Sequence, residues 1–570
     1  MGGSSRLRVG RPLVLGVLLL LVWALVAVRL FDVQIVRAQE LDEQGLRQRL
    51  TMRELAPRRG TIYDRSGQVL AFTIDATTLY AHPSEVADPL FASVEIASAL
   101  GVPAPEIEAK LRSDSSFVYL ARQLEGDVAL AVNELEIPGV YTVPEPKRVY
   151  PTGGAAAHVV GFVDIDGLGL DGLEYAFEDA LRGRPGFIQF EQSHGVPIPH
   201  GRQDRVDAVP GTDLVTTLDL SLQFVAEETC DATVERTGAK RCSVVVLDPK
   251  TGEILAMVVT PGFDPGNRGA LDADTLVARQ QNLAVRSLYE PGSTMKLVTI
   301  GAALEAGVVN PMTTFEVPSK IEFEDPELDK TWTFTDVERT GTATLSVADI
   351  VTRSSNVGTI LIEQELGYVR HRDALTQWGF GATSGVDLAG EAQGSVNLEP
   401  TCVTCGPSVA IGYSVNTTLI QMASIFGAVA NDGTLVTPHF VRSTDRAGEV
   451  DTIEVDRREI VSPKTASTLR ALLRNVVESD EGTGRAARID GYAVGGKTGT
   501  SRVFEDGTYH DDRFMASFIG MAPIDDPRLV VAVLVEEPQR PTYSGGTAAA
   551  PAFAEVMLKA LHQLGVEPDA

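Results

Sequence analysis

The sequence predicts an α/β (α+β) protein with a single N-terminal transmembrane helix, a loop-rich mixed α/β region, and a larger domain whose strands come from distant sequence and enclose helices between them. Three observations carry this expectation. An uncharged apolar run extends from Pro12 to Val28. Pro, Gly and Asp recur from residue 57 to about residue 213, with short strand-like runs among them. Strand-like segments at 243–259 and 514–538 then flank a stretch of helical periodicity. The 570 residues leave room for at least two domains at ~100–200 residues each. An apolar fraction of 44% and a mean hydropathy of +0.04 suit a folded chain with a sizeable core.

Charge and cysteine content exclude some classes of function. The 49 Lys and Arg face 77 Asp and Glu, a net charge of −28, which argues against a general nucleic-acid binder because phosphate neutralisation needs clustered cations. Four cysteines are too few for a disulfide-dense scaffold. At the N-terminus, residues 1–11 carry Arg6, Arg8 and Arg11 and no acid. The span at 12–31 has the ~20 residues that cross a hydrocarbon core of roughly 30 Å, and Arg29 lies near its exit, where a long side chain snorkels to the headgroups. The positive-inside rule places the tail in the cytoplasm and everything after the span outside the membrane. The alternative is a cleaved signal peptide, for which Val36-Arg37-Ala38 is a poor cleavage site.

The elements follow in order. Residues 32–57 are polar with few breakers and read as a helix leaving the membrane, then an extended stretch. Within 57–73, Ile62-Tyr63 and Val69-Leu70-Ala71 are short strands joined across Asp64-Arg65-Ser66-Gly67, a turn composition. A Val/Thr strand ends at Asp219, after which Leu222, Phe224, Val225 and Glu228 start a helical period. Residues 243–259 form a hairpin around Asp248-Pro249-Lys250-Thr251-Gly252. FMASFIGMAP and RLVVAVLVEEP are two more strands, and 547–564 a closing helix. The domain boundary falls near 205–211, which gives a tail 1–11, a span 12–31, a region 32–210 and a domain 211–570.

Three short motifs carry candidate chemistry. Ser293-Thr294-Met295-Lys296 follows Glu290-Pro291-Gly292 and precedes LVTIGAALEAG, a helix stopped at Gly307; Pro291 and Gly292 place Ser293 at its start. Residues i and i+3 share a face, so Lys296 meets the Ser293 hydroxyl. Serine is a weak nucleophile until a base takes its proton, and lysine serves when burial and a second cation keep it neutral. The helix N-terminus favours negative charge developing at Ser293. Ser354-Ser355-Asn356 comes second, in an inter-helix loop. Lys497-Thr498-Gly499-Thr500 comes third, on a strand where Gly495, Gly496 and Gly499 strip the edge of side chains and let a substrate backbone pair with it. Singly, these are a solvated helix face, a cap or turn, and ordinary loop composition. Together, in this order and setting, they are the set associated with penicillin-binding proteins and β-lactamases.

On these motifs the chain resembles the class B penicillin-binding proteins, bitopic peptidoglycan DD-transpeptidases, almost end to end. Arg59-Gly60-Thr61-Ile62-Tyr63-Asp64-Arg65 and GLDGLEYAFEDALRGRPG (169–186) resemble motifs of that family's pedestal; TTLDLSLQ, LDPKTGEILAMV, MASFIGMAP and the Ala-Ala-Pro at 549–551 fit as well. The single anchor, short tail, compact pedestal and absence of an appended C-terminal module resemble the division-specific branch, with sporulation and elongation relatives as alternatives. The resemblance implies an elongated mixed α/β pedestal over 32–210 and a transpeptidase domain over 211–570 built on a central antiparallel sheet flanked by helices. It implies that Ser293 attacks the carbonyl between the terminal D-alanines of a stem pentapeptide and that Lys296 takes the hydroxyl proton. Ser354 would relay a proton to the departing D-Ala, with Asn356 orienting Lys296 and the substrate amide. Lys497 would supply positive charge near Ser354 and, with Thr498 and Thr500 on the strand that includes Gly499, receive the terminal carboxylate. The N–H groups of Ser293 and Thr500 would form the oxyanion hole. An acceptor amine from a neighbouring stem peptide then resolves the acyl-enzyme, and no metal or nucleotide cofactor is required. Further implied partners are β-lactam antibiotics, a membrane glycosyltransferase and division proteins. Ser501-Arg502 departs from the family pattern at the groove rim.

Other features are weaker. Gly167-x-Gly169-x-x-Gly172, with Glu191 some 20 residues on, matches a dinucleotide fingerprint; a location outside the membrane offers no nicotinamide pool, and the glycines read as turn residues. Outside the cytoplasm Cys402-x-x-Cys405 reads as a short-loop disulfide, with free thiols as the alternative, and Cys230 and Cys242 are candidates for a second bridge. All eight histidines lie outside the three motifs, and most are expected at surface or cap positions. Two further functions compete: a DD-carboxypeptidase or β-lactam hydrolase, where water deacylates the serine, and a non-catalytic divisome scaffold. The anchor and long pedestal disfavour the first, the intact motif residues the second.

Overall fold

In the computed structural model the apolar N-terminal run forms one helix, Arg11–Phe31, continued by a π-helical turn over Asp32–Val36. Pro12 sits in the first turn, where its missing N–H breaks no helical bond. This 26-residue stretch contains an 18-residue window of mean hydropathy 2.7 and is, among the described residues, the helix long and apolar enough to cross a membrane. The structure describes residues 10–193, 196–199, 201–326, 329–336, 341–399 and 402–569. Arg6 and Arg8 of the tail, and His194 and His200, lie outside them. The chain divides into two units. The first, Met1–Arg58 with Gly183–Pro210, holds the apolar helix, a second helix over Ala38–Arg49, and a sheet in which Gly186–Ser193 pairs antiparallel with Leu50–Leu55 and with Gln203–Val206.

The second unit, Arg59–Arg182 with Gly211–Ala570, begins with the hairpin expected from the sequence. Strand β1 (Ile62–Tyr63) turns into β2 (Val69–Ala81) at Asp64. The buried Asp64 carboxylate closes the turn by accepting from the Ser66 N–H, the Ser66 hydroxyl and the Gln68 N–H, each at 2.8 Å. Strands β3 (Val118–Leu124) and β4 (Val140–Val149) pair with the two sides of β2, while β5 (Asp213–Thr216) runs parallel to β1. The two pedestal-like motifs meet here in a buried ion network. Arg59 Nε lies 2.5 Å from Glu174 Oε2 and its Nη1 2.6 Å from Glu178 Oε2, and Arg148 Nε lies 2.7 Å from Glu174 Oε1. The glycines of the fingerprint-like run close turns beside it. Gly172 has φ +59°, and a Cβ there would collide with the Val159 carbonyl and the Gly161 backbone.

The remainder encloses the site. In chain order come α1 (Leu220–Thr237), β6 (Arg241–Leu247), β7 (Ile254–Thr260) and α2 (Lys296–Glu305). The hairpin β8 (Lys320–Asp325) and β9 (Lys330–Thr335) precedes α3 (Val347–Thr352), α4 (Asn356–Leu366), α5 (Tyr368–Trp378), α6 (Cys405–Ala410), α7 (Leu419–Ala430) and α8 (Pro463–Glu478). Three strands, β10 (Gly495–Glu505), β11 (Thr508–Ala522) and β12 (Leu529–Glu536), lead into α9 (Ala550–Gln563). The central sheet runs β7-β6-β12-β11-β10, antiparallel throughout. Strands from the two ends of the unit lie side by side because β6 pairs with β12. Its apolar strands are continuous rather than alternating since both faces are covered: Val244 and Val246 pack in one core with Leu222 and Phe553, Val245 and Leu247 in another with Met295 and Phe426. Cys230 on α1 is bonded to Cys242 on β6, and Cys402 to Cys405 at the start of α6. Three histidines are exceptions to the surface or cap placement expected of most. His158, His371 and His439 are buried, the first meeting the Arg279 carbonyl at 2.7 Å and the second lying 3.4 Å from the Glu363 carboxylate, so each of these two finds inside a polar neighbour that no local pattern announces.

Candidate active site

The three motifs converge on one place. Ser293 stands in the 3₁₀ turn Gly292–Met295 that leads into α2, Ser354 and Ser355 connect α3 to Asn356 at the first position of α4, and Lys497–Thr500 lie on β10, the edge strand of the central sheet. The turn is anchored on both sides of the serine. The Gly292 N–H donates to the Gly412 carbonyl at 3.0 Å, and the Thr294 hydroxyl to the Pro291 carbonyl at 2.8 Å. Glu290 Oε1 accepts from the Ser414 N–H at 2.7 Å and from the Tyr509 hydroxyl at 2.9 Å. Ser501, expected at the groove rim, is instead 2% exposed and donates to the Glu290 carbonyl at 2.7 Å, tying β10 to the nucleophile's segment. Arg502 points outward and pairs with Asp511 at 2.9 Å.

Two buried lysines meet on one hydroxyl. Lys296 Nζ donates to the Ser354 carbonyl at 2.6 Å, to Asn356 Oδ1 at 2.7 Å and to Ser354 Oγ at 3.3 Å. Lys497 Nζ donates to the same Ser354 Oγ at 2.8 Å and to the Thr498 carbonyl at 3.2 Å. Each lysine is 1% exposed. Burial pulls Lys296 from its ordinary 10.5 down to about 7, an effect that the Asp336 carboxylate opposes in part. Burial and the neighbouring Lys296 draw Lys497 well below the usual lysine range. Ser354 has φ +56°, a left-handed conformation that a serine seldom holds. The i, i+3 contact expected between Lys296 and Ser293 is replaced by this cluster: the Ser293 hydroxyl, half-buried, makes no hydrogen bond among the described residues.

Several residues of the site carry no motif. Asp336, just beyond β9, accepts from the Ser355 hydroxyl at 2.6 Å and the Val357 N–H at 3.0 Å, placing a carboxylate at the N-terminus of α4. Asn356 Nδ2 donates to the Thr335 carbonyl at 3.1 Å, so the end of the β8–β9 hairpin fixes the second motif. On β10 the Thr498 hydroxyl meets the Thr483 hydroxyl at 2.8 Å, and Thr500 Oγ1 accepts from the Gly545 N–H at 3.0 Å. The bareness of Gly499 serves the protein's own packing, since a Cβ there would lie 2.3 Å from Ser517 Oγ and 2.8 Å from the Pro291 carbonyl. It lets β10 close on the nucleophile turn, a different reason from the open edge expected of it.

A hydroxyl on a helix-entry turn beside a near-neutral amine, with a second hydroxyl bridging to another buried amine, is an arrangement for acyl transfer through serine. Comparison with known proteins agrees. Residues 242–558, more than half of the chain, match the penicillin binding protein transpeptidase domain. The chain belongs to the penicillin-binding proteins. Residues 54–216 match the penicillin-binding protein dimerisation domain, the pairing of domains that marks class B. Penicillin-binding protein PbpB of Mycolicibacterium smegmatis is 36% identical over 597 aligned positions, covering 97% of this chain and 90% of its own. The peptidoglycan D,D-transpeptidase FtsI of Escherichia coli is 28% identical over 97% of this chain and 91% of its own. Among solved structures, penicillin binding protein 3 of Mycobacterium tuberculosis, complexed with aztreonam, superposes with a TM-score of 0.70 at 29% identity, covering 91% of this chain and 98% of that one. This penicillin-binding protein is therefore an enzyme of the transpeptidase class, with an apolar N-terminal helix suited to anchoring it in a membrane.

Proposed function

We propose that the chain is a membrane-anchored serine DD-transpeptidase that cross-links peptidoglycan stem peptides, in septal wall synthesis, through an acyl-enzyme on Ser293. The convergence of Lys296 and Lys497 on Ser354 Oγ, beside the Ser293 turn, carries this reading. Lys296, near-neutral at physiological pH, takes the Ser293 proton as the hydroxyl attacks the carbonyl between the terminal D-alanines. The ester to Ser293 forms, the amide bond breaks, and Ser354 passes the proton to the departing D-Ala amine. Asn356 holds Lys296 and the substrate amide, Lys497 with Thr498 and Thr500 receives the terminal carboxylate, and the Ser293 and Thr500 N–H groups stabilise the oxyanion, each donor of this kind being worth ~3–4 kcal/mol. An acceptor amine from a second stem peptide then displaces Ser293, forming the cross-link and returning a proton to the serine. β-Lactams acylate the same hydroxyl.

In this reading residues 1–11 are cytoplasmic, 12–31 span the membrane, 32–210 are the pedestal and 211–570 the transpeptidase domain, outside the membrane. Both cysteine pairs being bonded supports an oxidising, extracytoplasmic setting. The partners are a membrane glycosyltransferase and division proteins. The test is covalent labelling by a fluorescent penicillin: the wild-type chain labels stably and Ser293→Ala does not. Equal labelling of the mutant refutes the nucleophile, and labelling that decays within seconds favours the hydrolase alternative.

A further inference from the structure

Beneath the two lysines lies a void of about 10 Å³. Lys296 and Lys497 border it without exposing polar surface to it, and the rest of its wall is hydrocarbon: residues of α2 itself, Val351 of α3, and Leu469, Leu472 and Leu473 of α8. The three leucines are at most 3% exposed and recur at the i, i+3, i+4 spacing that puts them on one face of α8. At the lower limit of the space one water occupies, and with no polar surface to hold one, the void stays dry. The polar side of Lys296 is already taken up by Ser354 and Asn356. Among the described residues, the charged groups facing it are Lys497 from β10 and Asp336 from the end of β9, while α3 and α8 present only Val351 and the leucines.

We propose that Leu469, Leu472 and Leu473 are positioning residues for acyl transfer, which keep water from the inner side of Lys296 and so hold its amine in the neutral form that accepts the Ser293 proton. The inference rests on Lys296 acting as the base. It assigns to leucines more than 170 residues further along the chain a part of the chemistry that the Ser-x-x-Lys motif alone does not supply. A polar atom placed in this wall would solvate the ammonium form and raise the proton affinity of Lys296 without touching Ser293, Ser354 or Lys497.

The experiment compares full-length wild-type protein with Leu472→Asn and Leu472→Met, measuring the rate of acylation by a fluorescent penicillin between pH 5.5 and 9.5. Wild type is expected to show an acid limb near pH 7, where Lys296 gains its proton. Asparagine is expected to move that limb up by about one pH unit, so that labelling at pH 7 slows about fivefold as the neutral fraction falls from roughly one half to one eleventh, while rates at pH 9.5 stay nearly equal. Methionine, apolar and of similar volume, leaves the limb in place. A merely structural role predicts equal slowing at every pH, and that result, or an unmoved limb, overturns the assignment of the leucines. A wild-type profile with no limb near pH 7 overturns the base reading and this inference with it. Folding is followed by the emission of the buried Trp378; where asparagine at 472 unfolds the chain, Leu473→Ser takes its place in the same comparison.

Discussion

Lys296 should cost the protein stability, and replacing it by methionine measures how much. The unfolded chain keeps a lysine proton up to about pH 10.5, whereas in the folded protein the group releases it near pH 7. Between those values the unfolded state binds more protons, so stability rises with pH across that window; the full cost is present below pH 7 and is gone near pH 10.5. At about 1.36 kcal/mol per pH unit, the difference amounts to about 5 kcal/mol at the acid end and about 2 kcal/mol at pH 9. Methionine fills nearly the same volume but leaves the Ser354 carbonyl and Asn356 Oδ1 without their donor, an offsetting loss of about 1–3 kcal/mol. At pH 7, where half of the folded chains have already released the proton, the cost is about 4 kcal/mol, so Lys296→Met is expected to be more stable than wild type by about 1–3 kcal/mol there and about equal to it at pH 9, while losing penicillin labelling. The assay is guanidinium unfolding at the two pH values, followed through Trp378, which packs against Gly301 of the helix that Lys296 opens; a Trp332→Phe background removes the other tryptophan of this unit. A variant less stable than wild type at pH 7, or a difference that does not change with pH, would refute the reasoning.

Three further outcomes are expected. Glu174→Gln leaves Arg59 and Arg148, with side chains 7% and 3% exposed, short of a carboxylate, and should lower stability by about 3–5 kcal/mol in urea unfolding while the folded fraction still labels with penicillin. Lys497→Met removes the cation that touches Ser354 Oγ and should slow acylation about 10²–10³-fold in stopped-flow labelling, as removal of an electrostatic donor does elsewhere. Cys230→Ala opens a bridge spanning 12 residues between α1 and β6 and should cost about 3 kcal/mol by loop entropy, read as a lowered midpoint in thermal melting.

What the sequence disclosed, it disclosed through local rules. The hairpin at 241–260 is legible because a turn composition separates two apolar runs, and Ser293 because Pro291 and Gly292 precede an Ala- and Leu-rich helix. Motif order supplied the candidates Lys296, Ser354, Asn356 and Lys497, and these do come together in space. The resemblance implied the Asn356 contact of Lys296, but the Ser354 carbonyl as its other acceptor was not legible: i, i+3 spacing places the amine near Ser293 and says nothing of residue 354. Asp336 was invisible for a similar reason, being an ordinary residue after a strand whose role arises only where α4 begins. Glu174 gives no sign in the sequence that two arginines, 115 residues and 26 residues away, converge on it. Long-range pairing decides each of these, and a single sequence records no pairing.

The acidity of the chain bears on the same point. A near-neutral Lys296, beside a second lysine drawn below its usual range, looks misplaced in a protein of net charge −28, since every nearby carboxylate favours the protonated amine. Distance and screening resolve this. Exposed charges more than ~8–10 Å apart in physiological salt hardly influence each other, so the surplus of acid on the surface contributes little at a buried amine. Inside the dry wall formed by α2, α3 and α8, by contrast, each charge that does face Lys296 acts through low dielectric and counts heavily. Among the described residues Asp336 and Lys497 do so, with opposite signs, and the hydrocarbon of Leu469, Leu472 and Leu473 then tips the balance toward the neutral base. Surface charge can vary widely in such a protein without altering its chemistry, whereas one polar atom in that wall should change it at once.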